Sequence, residues 1–251
     1  MAFYILRSFF KGEKNLGVST GFTRRFYRTA KPVCGALHAG GASAHVKNTG
    51  RCRELLTPGA AVFLQHQPAP GRKTQYTLTH VQKGKRLVHI DSQAPNRLVE
   101  EALRASRLSL PGMGRPQVIR PETFYGESRF DFYLEEGEKR AFAEVKGVTL
   151  EENGWARFPD APTERGVKHL QHLARAAEEG YLCYVVFVIQ MSGIQGFSPN
   201  WKTHPAFGEA LLQAKKAGVV PLAFECEVLP QRVQLAGPVK IDYGKGKEES
   251  C

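Results

Sequence analysis

Asp131 to Lys146 reads DFYLEEGEKRAFAEVK, two partly apolar runs joined by the polar segment EEGEKR. Phe130, Phe132 and Leu134 alternate with polar positions, and Phe142 and Val145 do so less strictly, so the stretch predicts two strands of a hairpin. Side chains two residues apart share a strand face, which points Glu144 and Lys146 the same way, and the turn register sets Asp131 beside Glu144. Adjacent carboxylates repel unless a cation lies between them, and hard oxygen ligands suit Mg²⁺ or Mn²⁺. Asp131 and Glu144 are therefore candidate metal ligands, with Lys146 placed to orient a water for attack on phosphorus. The alternative is a surface pair of Glu144 and Lys146 on one edge of a hairpin.

The flanking sequence supplies layers around that hairpin. PNRLVEEALRASRL begins with a Pro-Asn turn and carries Leu98, Val99, Ala102 and Leu103 at helical spacing. PTERGVKHLQHLARAAEEG puts Val167, Leu170, Leu173, Ala174 and Ala177 on one helical face and stops at Gly180. The near-continuous apolar run YLCYVVFVIQ follows, as in a strand buried on both faces. A helix over 205–217 and a strand over 219–228 repeat this order. The expectation is α/β, with a mixed central sheet flanked by helices.

Five blocks, VKNTGRCREL, PNRLVEEAL, GESRFDFYL, AEVKGVTL and ARFPDAPTERGVKHL, occur in order at sensible spacings. Together they resemble the sugar fermentation stimulation protein A (SfsA) family, from about Ala44 to about Leu235. The resemblance implies an N-terminal OB-like β-barrel over residues 1–92 and a PD-(D/E)XK nuclease-like domain over 93–251. It puts the family's metal site on Asp131 and Glu144 and its catalytic lysine on Lys146. Glu101 fits the acid that such nucleases often add on a helix, although periodicity does not separate it from Glu100. DNA binding without strong sequence preference is also implied.

Length and composition agree, since 251 residues most simply hold two domains with a boundary near Ser92 to Asn96. No apolar run approaches the roughly 18 residues of a membrane span, and Phe9 and Phe10 lack the long apolar stretch of a signal peptide. Cys34, Cys52, Cys183, Cys226 and Cys251 are scattered, without a CxxC, which predicts reduced thiols in a cytoplasm. His169 and His172 fall on the polar side of their predicted helix and read as solvated, not as metal ligands.

Charge is unevenly distributed. Residues 1–98 hold 16 Lys and Arg against 3 Asp and Glu, a net of +13, whereas residues 99–251 hold 19 against 21, a net of −2. Short, turn-broken strands in the basic half have the texture of a small barrel. Lys47, Arg51, Arg53, Arg72, Lys73, Lys83, Lys85 and Arg86 punctuate them, so a polyanion is the natural partner, DNA or RNA, held mainly by its phosphates. Asn48, Thr49 and Gly50 read as a turn whose amides can meet a phosphate, or as an ordinary hairpin turn. Tyr76 and His89 read as core rather than as base-stacking groups. In PDAPTERGVKH, Thr163 can cap a helix, and Arg165, Lys168 and His169 follow it closely enough to grip phosphates. The plain alternative is a cap followed by a solvated face.

The segment around residues 24–44 has no strand periodicity and ends in small residues unsuited to filling a strand. A reading shifted by one base can restore a strand pattern, which suggests a compensated frameshift entering before about Arg25 and resolved near Ala44. Resequencing the gene tests this. Counted without residues 1–44, the basic half remains +7 over residues 45–98.

The readings converge on a cytoplasmic, two-domain nucleic-acid-binding protein that hydrolyses phosphodiester bonds with a divalent metal. The rival is a non-catalytic DNA-binding regulator of sugar (maltose) metabolism genes, in which the same residues only bind. No residues form a recognisable sugar site, and no helix-turn-helix appears in the basic half.

Overall fold

In Tyr76–Lys83, Thr77 to Val81 are all buried, as befits a strand covered on both faces. The computed structural model describes residues 3–5, 24–25, 36–39, 42–48, 52, 54–57, 59–67, 70–71 and 73–244. They form two compact units: Met1–Gln93 with Gln190–Ser192 and Glu227–Gln234, and the remainder.

The first unit is a seven-stranded sheet of β1 (Phe3–Ile5), β2 (Arg24–Arg25), β3 (Ala36–Ala39), β4 (Ala42–Val46), β5 (Ala61–His66), β6 (Tyr76–Lys83) and β7 (Arg86–His89). Antiparallel β5 lies along one edge of β6, so β4 (parallel, at Tyr76–Leu78) and β7 (antiparallel, at His80–Lys83) share the other. Val62, Leu64, Leu78, Val81, Val88 and Ile90 fill the core. The small residues expected to preclude a strand do not: β3 and β4 pair as a hairpin, from Ala36↔His45 to Ala39↔Ala42. Backbone amides make the ladder, and alanine and serine keep theirs. Residues 26–35, 40 and 41, the rest of the segment assigned to a frameshift, lie outside the described residues.

The second unit contains α1 (Ala94–Arg104), β8 (Val118–Tyr125), β9 (Ser128–Glu136), β10 (Lys139–Val148), β11 (Leu150–Glu152), β12 (Trp155–Phe158), α2 (Glu164–Glu178), β13 (Leu182–Ile189), β14 (Gly196–Pro199), α3 (Pro205–Lys216), β15 (Val220–Leu229) as far as Cys226 and β16 (Arg232–Pro238) from Leu235. Its main sheet is mixed, in the order β16-β15-β13-β10-β9-β8, with β10, β13 and β15 mutually parallel and β8, β9 and β10 antiparallel. Cys183 to Ile189 are all buried in β13, and burial pushes the Cys183 thiol up to about 12. A small sheet, β11-β12-β14, was not foreseen. No helix among the described residues is long and apolar enough to cross a membrane.

Two departures from regularity position the site. First, Phe130 and Tyr133 both meet the Phe142 ring, with centroids 5.2 and 5.3 Å away, although residues three apart on a regular strand face opposite sides. β9 is therefore turned over between them, at Asp131 or Phe132. Pro121↔Phe132 and Thr123↔Phe130 bracket Glu122 on β8, which takes a φ of 56°. Second, α2 buries Gly166, His169, Leu170, Leu173 and Ala176, while Val167, Ala174 and Ala177 are only half-buried. The buried stripe is rotated from the apolar one, which carries His169 inward and corrects its reading as a solvated residue.

Candidate functional site

The β9/β10 hairpin ladder ends at Ala143↔Phe132. Beyond it, the Asp131 side chain takes the place of a backbone acceptor, with Oδ2 accepting from Val145 N–H at 2.7 Å. Its other oxygen, Oδ1, accepts from Asn96 Nδ2 of α1 at 2.7 Å. Burial, then the neighbouring Glu144 charge, push the Asp131 carboxyl up to about 6 despite those donors and Lys146.

Glu144 is 3 % exposed. Its Oε1 accepts from Lys146 Nζ at 2.5 Å and from His169 Nδ1, while its Oε2 is buried without a hydrogen-bond partner. Burial alone would raise this carboxyl, but the His169 hydrogen bond and the Lys146 ammonium outweigh it and hold the group below the usual carboxylate range. The fold thus brings Asp131, Glu144 and Lys146 together. The unsatisfied Oε2 and the repulsion between the buried Glu144 and half-buried Asp131 carboxylates fit a hard divalent cation.

Glu101 is exposed, whereas Glu100 lies one turn on from Asn96 and is half-buried, with Arg104 Nη2 2.6 Å from its Oε1. Among the described residues, no group of three His, Cys, Asp or Glu side chains is placed to hold a metal. Asn96, read in sequence only as a turn residue, is a partner of Asp131 that went unrecognised. Its sole sequence signal is its place within the first turn of a helix expected to carry an acid.

Thr163 caps α2, its Oγ1 accepting from Gly166 N–H at 3.0 Å. A Cβ on Gly166 would lie 2.9 Å from Thr163 Cγ2 and 3.3 Å from Phe207, so glycine permits this close approach. Exposed Arg165 donates from Nε to His169 Nε2 at 3.3 Å, and exposed Lys168 lies 3.4 Å from Glu127. His169, expected among the nucleic-acid contacts, is instead buried against Glu144. One turn on, His172 bonds Ser128, and burial lowers its pKa.

Residues 93–232 match the family model "Sugar fermentation stimulation protein RE domain", and residues 23–90 match "SfsA N-terminal OB domain". The chain belongs to the SfsA family. A sugar fermentation stimulation protein homolog of Desulfitobacterium hafniense is 52 % identical over 202 residues, 80 % of this chain and 86 % of that one. A homolog from Clostridium beijerinckii is 51 % identical over 197 residues, covering 78 % and 85 %. Among solved structures, Pyrococcus furiosus SfsA in complex with Ca²⁺ superposes with a TM-score of 0.77 at 27 % identity, over 88 % of this chain and 95 % of that one. The fold is thus that of an SfsA protein, an N-terminal OB domain followed by an α/β domain with a mixed sheet.

In the OB domain of this SfsA protein, Lys47 Nζ lies 3.9 Å from Asp91, and Asn48 Nδ2 donates to Ile90 O at 2.8 Å. Both are engaged in bracing the end of the unit. Lys73 is exposed. Arg51, Arg53 and Arg72, with Thr49 and Gly50, lie outside the described residues. His89 is buried and Tyr76 is half-buried beside His66, their ring centroids 5.1 Å apart.

Proposed function

We propose that this SfsA protein binds DNA or RNA through the basic OB domain and hydrolyses phosphodiester bonds with Mg²⁺ or Mn²⁺ at the Asp131–Glu144 site. The carrying observation is the buried, unpartnered Oε2 of Glu144 beside an Asp131 carboxyl pushed up to about 6. Asp131 and Glu144 would hold the ion, which when bound polarises a phosphoryl oxygen as a Lewis acid. Remaining positions would fall to water or substrate oxygens, with Glu100 better placed than Glu101 to contribute through water. Lys146 gives one of its three N–H donors to Glu144 and keeps two to orient the attacking water. The Ca²⁺ complex of the Pyrococcus furiosus relative supports a divalent cation in this family. Arg165 and Lys168 would hold phosphates flanking the scissile bond.

The test is cleavage of single- and double-stranded DNA and RNA by purified protein with Mg²⁺ or Mn²⁺. Turnover that EDTA stops is the expected result. Binding without metal-dependent cleavage on any of these substrates would overturn the catalytic reading in favour of a regulator.

A further inference from the structure

We propose that His169 is a positioning residue, which holds the Glu144 carboxylate so that Oε2 faces the cation and links that carboxylate to Arg165. The inference rests on the reading of Asp131 and Glu144 as metal ligands. A carboxylate has two equivalent oxygens, and the terminal torsion of a glutamate is broad, so nothing intrinsic decides which oxygen points where. Here the decision comes from unequal partners: Oε1 takes both the Lys146 and the His169 donors, and Oε2 takes none. Of the two donors, Lys146 sits on a flexible stem and is assigned to the water, whereas His169 is a buried ring with little freedom.

The ring is itself held from its far side. Arg165 Nε donates to Nε2 at 3.3 Å, and the ring stands edge-on to Phe130 with centroids 6.3 Å apart. A guanidinium only donates, so Nε2 accepts and the proton of the neutral ring is assigned to Nδ1, the atom that faces Glu144. Arg165 is exposed and uses its Nε here, which leaves its Nη groups for a phosphate. A phosphate held by Arg165 is thereby three hydrogen bonds from Glu144. Hydrogen bonds to ligating carboxylates commonly set metal affinity in this way.

The experiment is calorimetric titration of the full chain with Mn²⁺, with thermal melting to confirm folding. His169→Leu and His169→Asn have the same shape, but only the asparagine keeps a donor near the Nδ1 position. His169→Leu should weaken Mn²⁺ binding by about 10–100-fold, and His169→Asn should restore it to within about threefold of wild type. Arg165→Ala, an exposed change that leaves the core untouched, should weaken it by about threefold, and should add nothing to His169→Leu because both act through one contact. Wild-type protein that binds no Mn²⁺ would overturn the metal reading and this inference with it. Wild-type binding with equal affinities for the leucine and asparagine variants, or an Arg165→Ala loss that adds fully to that of His169→Leu, would overturn the positioning role alone.

Discussion

The two units handle charge in opposite ways. The first belongs to the basic part of the chain, +13 over residues 1–98, and Lys73 and Lys85 stand exposed on it. The second lies in a part that is nearly neutral, −2 over residues 99–251, yet it buries Glu144, half-buries Asp131 and surrounds them with Asn96, His169 and Lys146. Exposed charges act at a distance and are screened by salt, whereas buried charges act through fixed contacts and shift each other's pKa. On the proposed function, the difference would separate holding a polyanion from acting on it.

The largest effect should come from the buried acids. Asp131→Ala and Glu144→Ala should each lower single-turnover cleavage by about 10³-fold or more, while anisotropy titrations show DNA affinity kept or raised, because a carboxylate repelling phosphate is gone. Lys146→Ala should cost about 10²-fold in rate with Mn²⁺ affinity retained. If affinity for DNA falls as far as the rate does, the division between the units breaks.

Reversal of Arg51, Arg53, Arg72 and Lys73 to Glu tests the other side of the comparison. Binding at 0.1 M salt should weaken by about 10²-fold whatever the base sequence, and the salt dependence should flatten by about 0.9 for each phosphate no longer neutralised. An unchanged slope would remove the basic unit from the interface.

The pH dependence of stability sharpens the account of the buried pair. Because the Asp131 carboxyl is raised from 3.8 to about 6, the folded chain keeps a proton that the unfolded chain has lost between those values. Its stabilising contribution is complete below about pH 4 and gone above about pH 6 in metal-free protein. Asp131→Asn, which cannot ionise, should therefore be more stable than wild type above pH 6 by on the order of 2 kcal/mol, with the gap closing towards pH 4 in urea titrations. A gap independent of pH would place its origin elsewhere. The smallest effect is expected from Gly166→Ala, which should crowd the Thr163 cap and cost about 1 kcal/mol, a few degrees in Tm, without altering Mn²⁺ affinity.

Much of the second unit was legible because its signals are local. The buried strand at Leu182–Ile189 and the helices at Glu164–Glu178 and Pro205–Lys216 follow from hydrophobic period and from stops such as Gly180, whose φ is 94°. The meeting of Asp131, Glu144 and Lys146 was legible from register and two-residue spacing. The route to it was not, since alternation predicts a regular strand, whereas β9 turns over near Asp131 and uses its carboxylate to close the ladder at Val145. In the first unit the β3/β4 hairpin was missed because its small side chains hide a pairing that the backbone makes.

Sequence by itself determined the mixed sheet between helices, the basic-to-neutral division of the chain and the three residues at the centre of the site. These depend on residue type, spacing and period, which neighbours along the chain express. Tertiary structure alone decided that the buried stripe of α2 runs through His169 and that Asn96 reaches Asp131. A polar residue on a helix becomes solvated or buried according to what packs opposite it. Here that partner is Glu144, 25 residues away in the chain from His169, and no local pattern encodes the pairing.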